Sequence, residues 1–364
     1  MTPKKKKVLL FTETADHSRY WEMALPLLIP NKIDLVYVAL RQKGPVHSLV
    51  EKFNCPNYSL NGRGAWDYAR VCLRLAQIIR REKIEVVHGS EPVPAALAAI
   101  ASKIAGKSKV IFHRHHALTT GKQSFFSRIA GRFCHLVMAV SRSAANSANQ
   151  IDRVRFSQIR VAYNGIDPMR KVTKTELMNL REKLAIPETA KVITIVSRLR
   201  ELKGHRTLFE AARILHHATG EKPHLVIVGS GPDELALKTI AKTNLSAHFH
   251  FVGHQEDVAL WFSLADVAAM PSHYEAFGLT ALEAISCGVP MIASRLDGIA
   301  EIIENETSGI LVEPKNAAAL AEAILRVLHS KSLASKLSRE GEKRAGFFTV
   351  EAMVASWQSC YELL

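Results

Sequence analysis

The chain has 364 residues, 48% of them apolar, with a formal net charge of +14. That length suggests about two domains of roughly 150 residues, each with enough apolar residues for a core. No apolar run approaches the roughly 18 residues of a transmembrane helix, and Val8 to Phe11, after the run Lys4 to Lys7, is too short for a signal-peptide core. Five cysteines, Cys55, Cys72, Cys134, Cys287 and Cys360, show no CxxC or zinc spacing. A reduced cytoplasmic setting is expected, with any membrane contact peripheral and on the inner face.

The first half alternates short apolar runs with amphipathic stretches. Val8 to Phe11, Ile33 to Leu40, Val86 to His88, Lys109 to Phe112 and Leu136 to Ser141 read as strands, and Ala65 to Glu82 and Val93 to Ala105 as helices. Such alternation implies a parallel sheet covered on both faces. Charge is concentrated here: residues 1–165 carry a net +16 and residues 166–364 a net −2. Between Pro92 and Ile151 there is no acidic residue, while Lys103, Lys107, Lys109, Arg114, Lys122, Arg128, Arg132 and Arg142 share the segment with His113, His115, His116 and His135. A field of one sign points to an anionic partner, a phosphorylated substrate or an acidic membrane surface, with an ordinary basic surface lacking a partner as the alternative. Nucleic acid is not expected, because the basic region shows no nucleic-acid-binding motif.

At Val161 to Pro168 the turn residues Asn164, Gly165, Asp167 and Pro168 cluster, which marks a domain junction. New strands follow at Val192 to Ser197, His224 to Val228, Phe249 to Val252, Val267 to Met270, Met291 to Ser294 and Gly309 to Val312. Both halves are therefore doubly wound α/β domains, expected to face each other across a cleft, with ligands at the carboxyl ends of the strands. Arg198 and Lys203 flank the exit of the first of these strands. The pair can grip a diphosphate, or can be two ordinary surface cations. Gly229-Ser230-Gly231-Pro232 is not a G-x-G-x-x-G loop, and a tight turn explains it equally well.

The densest signal is Pro271 to Pro290. Glu275 sits in a small-residue loop and Glu283 eight residues later, on a helix expected from Gly278 to Ser286. Its first N–H groups lack intrahelical partners and attract anions. The two carboxylates stand about 12 Å apart at a rise of about 1.5 Å per residue, which suits an elongated, polyhydroxylated, anionic ligand. The alternative, a loop residue and a solvated helix position, is opposed by Leu279, Leu282, Ala284 and Ile285, which make the helix largely apolar.

Together, Ser197-Arg198-Leu199, Lys203-Gly204, Gly229-Ser230-Gly231, Phe251-Val252-Gly253, Ala265-Asp266, Pro271-Ser272, Glu275-x-Phe277-Gly278, Glu283, Gly288-Val289-Pro290 and Gly298-x-x-Glu301 resemble the donor half of family 4 glycosyltransferases. The resemblance runs from about Asn164 to Pro314 and implies the GT-B fold, two Rossmann-like domains. Residues 1–165, with a crossing helix at 347–364, are then the acceptor side, and residues 166–346 bind a nucleotide-sugar. The resemblance casts Arg198 and Lys203 as the cations that neutralise the leaving diphosphate, and Glu275 as the group that orients donor-sugar hydroxyls. The N–H groups of Phe277, Gly278 and Leu279 assist it, Gly253 joins the substrate-binding residues, and Glu283 accepts the two ribose hydroxyls. No Asp-x-Asp occurs, so no metal is expected and the nucleotide-sugar is a co-substrate.

The first half matches the family only in outline. By position, His115 resembles the histidine beneath the donor sugar, with His116 one residue away as the alternative; His88 could border the same site, although a plain strand-end histidine is the simpler reading. The family's Gly-Gly loop after the first strand is replaced by Thr12 to Trp21, where Asp16, His17, Arg19 and Trp21 could form a different acceptor surface. Trp21 packing the first helix is the plainer reading. Trp357 and Tyr361 are expected to be the packing face of the last helix.

The resemblance implies retention of anomeric configuration, and the function expected is metal-independent transfer of a sugar to an anionic glycan or glycolipid, lipid-linked or of lipopolysaccharide type. A nucleotide-sugar epimerase of the same fold and a non-catalytic module for anionic surfaces are the rivals.

Overall fold

A computed structural model describes residues 5–16, 19–30, 33–106, 108–116, 122–244 and 246–364, with the side chains of Arg19 and Lys122 left out of the description. His17 thus lies outside the described residues. The chain divides into two compact units, Met1–Gly165 with Val350–Leu364, and Ile166–Thr349.

The first unit is built on seven strands: β1 (Lys6–Thr12), β2 (Ile33–Ala39), β3 (Asn57–Ser59), β4 (Val86–Ser90), β5 (Lys109–Arg114), β6 (Leu136–Ala139) and β7 (Ile159–Val161). They form one parallel sheet in the order β3-β2-β1-β4-β5-β6-β7. The apolar runs are nearly continuous rather than alternating because helices cover both faces. Helix Tyr68–Arg81 shows why it packs there: Val71, Cys72, Leu75, Ala76 and Ile79 recur at helical spacing and are buried. Pro92 opens the helix Pro92–Ala105 and Gly106, in the left-handed region, closes it.

The terminal helix Val350–Glu362 lays Val350, Met353, Val354, Trp357 and Tyr361 into the same core as Trp21, Leu25 and Leu35. Trp21 is buried, its ring centroid 5.5 Å from that of Trp357. A packing role for Trp21 is therefore what the structure shows, not a surface for sugar stacking.

The second unit carries β8 (Val192–Val196), β9 (His224–Val228), β10 (His248–Gly253), β11 (Val267–Met270), β12 (Met291–Ser294) and β13 (Ile310–Val312). The parallel order is β10-β9-β8-β11-β12-β13. In each sheet the strand order reverses once, between β1 and β4 and between β8 and β11. The loops leaving those strands flank a switch point, where such sheets bind ligands.

Candidate active-site residues

In the second unit the loop after β8 passes through Arg198 and a short turn at Glu201–Lys203 before the helix His205–Thr219. Gly204 joins turn to helix at φ +72°, and a Cβ there would collide with the carbonyl oxygen of Pro271, the first residue after β11. Only glycine allows that approach. The His273 amide also donates to the Leu202 carbonyl oxygen at 2.7 Å. The two switch-point loops are thereby locked together, and Lys203 Nζ meets Glu275 Oε2 at 2.5 Å, both side chains partly buried. Arg198 stays exposed at the end of β8.

The helix after β11 runs Leu279–Ser286, one residue shorter than the sequence suggested, because Gly278 at φ +105° is its cap rather than its first residue. The cap carbonyl accepts from Ala281 at 2.9 Å. The N–H groups of Gly278, Leu279 and Thr280 have no hydrogen-bond partner among the described residues, so they present partial positive charge beside Lys203 and Glu275. Phe277 and Gly278 are buried and Leu279 is half-buried. Behind the loop, Gly298 lies so close to the Ala276 carbonyl that a side chain could not fit. Glu283 is buried, at 7% exposure, one turn into the helix. Gly253, at the end of β10, accepts the Gly229 amide at 2.7 Å.

In the first unit β5 extends two residues beyond the expected end, so His113 and Arg114 belong to the strand and are buried. Arg114 forms a buried ion pair with Asp152 and donates to Ser127 Oγ at 2.7 Å. It is therefore not part of the exposed basic field. His113 Nδ1 contacts His88 Nε2 at 2.9 Å, His88 Nδ1 contacts the Tyr361 hydroxyl at 2.7 Å, and His113 Nε2 contacts the Tyr20 hydroxyl at 3.1 Å. His88 is thus an interior member of a hydrogen-bonded chain, not a border of the site.

His115 follows the strand, half-buried, its ring centroid 4.0 Å from that of His113, with Nε2 3.2 Å from Ser90 Oγ. Burial first, then the neighbouring His116 and His88, push its imidazole down to about 3. It is neutral at pH 7 and acts as a hydrogen-bonding group, not a cation. His116 is exposed and 3.4 Å from Glu91. Glu91 holds φ +77°, strained for a residue with a side chain, and burial raises its carboxyl above the usual range.

Asp16 is exposed and lines a pocket of about 470 Å³ at the carboxyl ends of β1, β2 and β3, with Arg41, Lys43 and Arg63 around it. Arg41 is positioned by the Gly62 carbonyl at 2.8 Å and by Glu13 at 3.2 Å. A larger cavity of about 600 Å³ opens at the opposite ends of the first unit's strands, by Lys6, Lys83 and Lys109, away from the switch point between β1 and β4.

The model for glycosyl transferases group 1 matches residues 178–344, and that for glycosyltransferase family 4 matches residues 20–170. A GDP-mannose-dependent monoacylated alpha-(1-6)-phosphatidylinositol monomannoside mannosyltransferase of Corynebacterium glutamicum is 31% identical over 273 residues, covering 70% of each chain. The chain belongs to the family 4 glycosyltransferases. Its nucleotide-sugar-dependent transfer follows from that membership. The N-acetyl-alpha-D-glucosaminyl L-malate synthase of Bacillus anthracis is 27% identical over 79% of this glycosyltransferase and 77% of its own length. Anabaena HepE in complex with UDP superposes with a TM-score of 0.84 at 20% identity, covering 98% of this chain and 100% of its own, which shows the GT-B fold.

Arg41, Lys43, Arg63, Ser90 and Glu91 escaped the reading of the glycosyltransferase's sequence. The cations stand beside turn residues, Arg41-Gln42-Lys43-Gly44 and Asn61-Gly62-Arg63-Gly64. That pairing was the available signal.

Proposed function

We propose that this glycosyltransferase moves a hexose from a nucleotide-sugar to an anionic, lipid-linked acceptor, with retention of configuration and without a metal. The observation that carries the reading is Lys203 held on Glu275 at 2.5 Å beside the unspent N–H groups of Gly278 and Leu279. Breaking the bond from the sugar C1 to the diphosphate leaves negative charge on the diphosphate, and stabilising it is the main electrostatic task. Lys203, the exposed Arg198 and the helix start can do so together, replacing a divalent cation. Glu275, fixed by Lys203, orients sugar hydroxyls, and Glu283 accepts from the ribose hydroxyls. His115 supplies a neutral imidazole to the sugar.

Retention through a covalent intermediate needs a carboxylate nucleophile at C1. Glu275 is engaged by Lys203, which favours a front-face reaction. The acceptor oxygen bonds to C1 as the C1–diphosphate bond breaks, and the acceptor hydroxyl proton passes to a diphosphate oxygen. The three cations around Asp16 support an acceptor bearing phosphate. The Corynebacterium relative, named for transfer to a phosphatidylinositol mannoside, favours a lipid anchor on it.

The test is incubation with a panel of nucleotide-sugars and a bacterial lipid extract in EDTA, followed by NMR of the product's anomeric proton. Release of nucleotide with sugar entering the lipid fraction, and an unchanged anomeric configuration, are expected. Inversion, or activity only with added divalent cation, would refute the mechanism; conversion of the donor with no transfer would favour the epimerase.

A further inference from the structure

The helices Tyr68–Arg81, Pro92–Ala105 and Lys122–Phe133 of the first unit carry eight Lys or Arg residues and no Asp or Glu. They are one packed layer. Cys72 Sγ contacts the Leu97 carbonyl oxygen at 3.8 Å, the Arg80 guanidinium donates to the Ile104 and Ala105 carbonyl oxygens, and Lys103 Nζ stands 3.7 Å from the Phe133 ring centroid. Leu73, Ile100, Ile104, Phe125 and Phe133 on these helices are between 39% and 63% exposed. Scattered exposed apolar residues need no explanation, but five on three adjoining helices do. Cations are interleaved with them. Arg74 adjoins Leu73, Lys103 lies between Ile100 and Ile104, and Arg128 and Arg132 follow Phe125 at helical spacing, all four exposed.

We infer that this three-helix layer is a docking face for an anionic lipid bilayer. Aromatic and aliphatic tips enter the headgroup boundary, and the ammonium and guanidinium groups rest on lipid phosphates. Nucleic acid would match the charge but leaves Phe125 and Phe133 without a role, whereas a bilayer uses both properties. Attachment is to the surface, since no helix among the described residues is long and apolar enough to cross a membrane.

The lysines at the start of the chain are a poorer anchor. Lys5 and Lys6 donate at 2.6 Å to the carbonyl oxygens of Pro30 and Tyr361, and Lys7 pairs with Asp34 and Glu82. The docking face stands independently of which sugar is moved and of how.

The experiment is co-sedimentation of the full chain with vesicles of phosphatidylcholine alone or with about one-third phosphatidylglycerol, at about 0.15 M salt. Variants are Phe125→Ser with Phe133→Ser, and Arg128→Gln with Arg132→Gln. Lys331→Gln with Lys336→Gln, exposed on the second unit, removes the same charge elsewhere. The chain is expected to bind the anionic vesicles and not the neutral ones. Each pair on the face weakens binding roughly tenfold or more, with the melting temperature and nucleotide-sugar binding unchanged, and the control pair binds as the parent. Failure to bind anionic vesicles, equal binding to neutral ones, or face variants that bind like the parent would overturn the inference. Equal weakening by the control pair would do so too, by showing that net charge rather than this face is read.

Discussion

Lys203 and Glu275 hold each other in place, and a diphosphate would draw the ammonium toward itself. On the proposed mechanism Lys203→Met removes the charge needed most as the diphosphate leaves, so kcat is expected to fall about 100- to 1000-fold with a smaller change in KM, measured by nucleotide release. On the proposed reading Glu283 acts earlier, in binding the nucleotide. Charge-assisted hydrogen bonds contribute roughly 1.5 to 3 kcal/mol each, and Glu283→Gln weakens nucleotide affinity accordingly while leaving most of kcat. An unchanged affinity would remove Glu283 from the ribose. Lys203 and Glu275 were conspicuous in the sequence because they lie beside glycines or turn residues, and Glu283 because a carboxylate on a largely apolar helix needs a partner. Arg41, Lys43 and Arg63 were not, since cations in the loops after β2 and β3 look like any solvated residues until the sheet gathers those two loops and that of Asp16 at one end.

Strands were legible where both faces are buried. Val267–Met270 and Met291–Ser294 came out as read because Val, Ile, Met and Ala in an unbroken run leave a buried strand as the natural reading. The three-residue β3 and β7 were missed: Asn57–Ser59 is only half-buried, and Ile159–Val161 has one buried residue. What joins the elements was less legible still. Nothing in the sequence announces that Gly204 touches Pro271. Gly204→Ala forces a side chain into the left-handed region and against a carbonyl. It is expected to cost at least about 1 to 3 kcal/mol and to cut activity by parting Lys203 from Glu275; thermal unfolding and nucleotide release check the two effects. The terminal helix has its own test. Tyr361→Phe leaves His88 Nδ1 buried without its 2.7 Å partner, at a cost of about 1 to 3 kcal/mol in urea unfolding.

For the molecule as a whole, the buried histidines make stability depend on pH. Burial pushes His88 and His115 down to about 3 and His205 to about 4, and lowers His113 strongly. Below about pH 6.5 the unfolded chain takes up protons that the folded chain refuses, so each such group contributes stability above that pH and loses it progressively toward its folded value. Stability is expected to fall by about 1.4 kcal/mol per pH unit for each histidine, seen as a melting temperature that drops steeply from pH 6.5 to 5. His88→Asn, without a titrating ring, flattens that slope; a slope unchanged in the variant would show that His88 is not held neutral.

In the proposed mechanism Lys203, Glu275, Glu283 and the helix start at Gly278 form a metal-free nucleotide-diphosphate site. Calorimetric titration of UDP and GDP in EDTA, against the parent, Glu283→Gln, Lys203→Met and His115→Ala, tests it most directly. The parent is expected to bind without divalent cation, Glu283→Gln and Lys203→Met at least tenfold more weakly, and His115→Ala with parent-like affinity. Equal affinity in all four proteins, or binding that appears only when a divalent cation is restored, would contradict it.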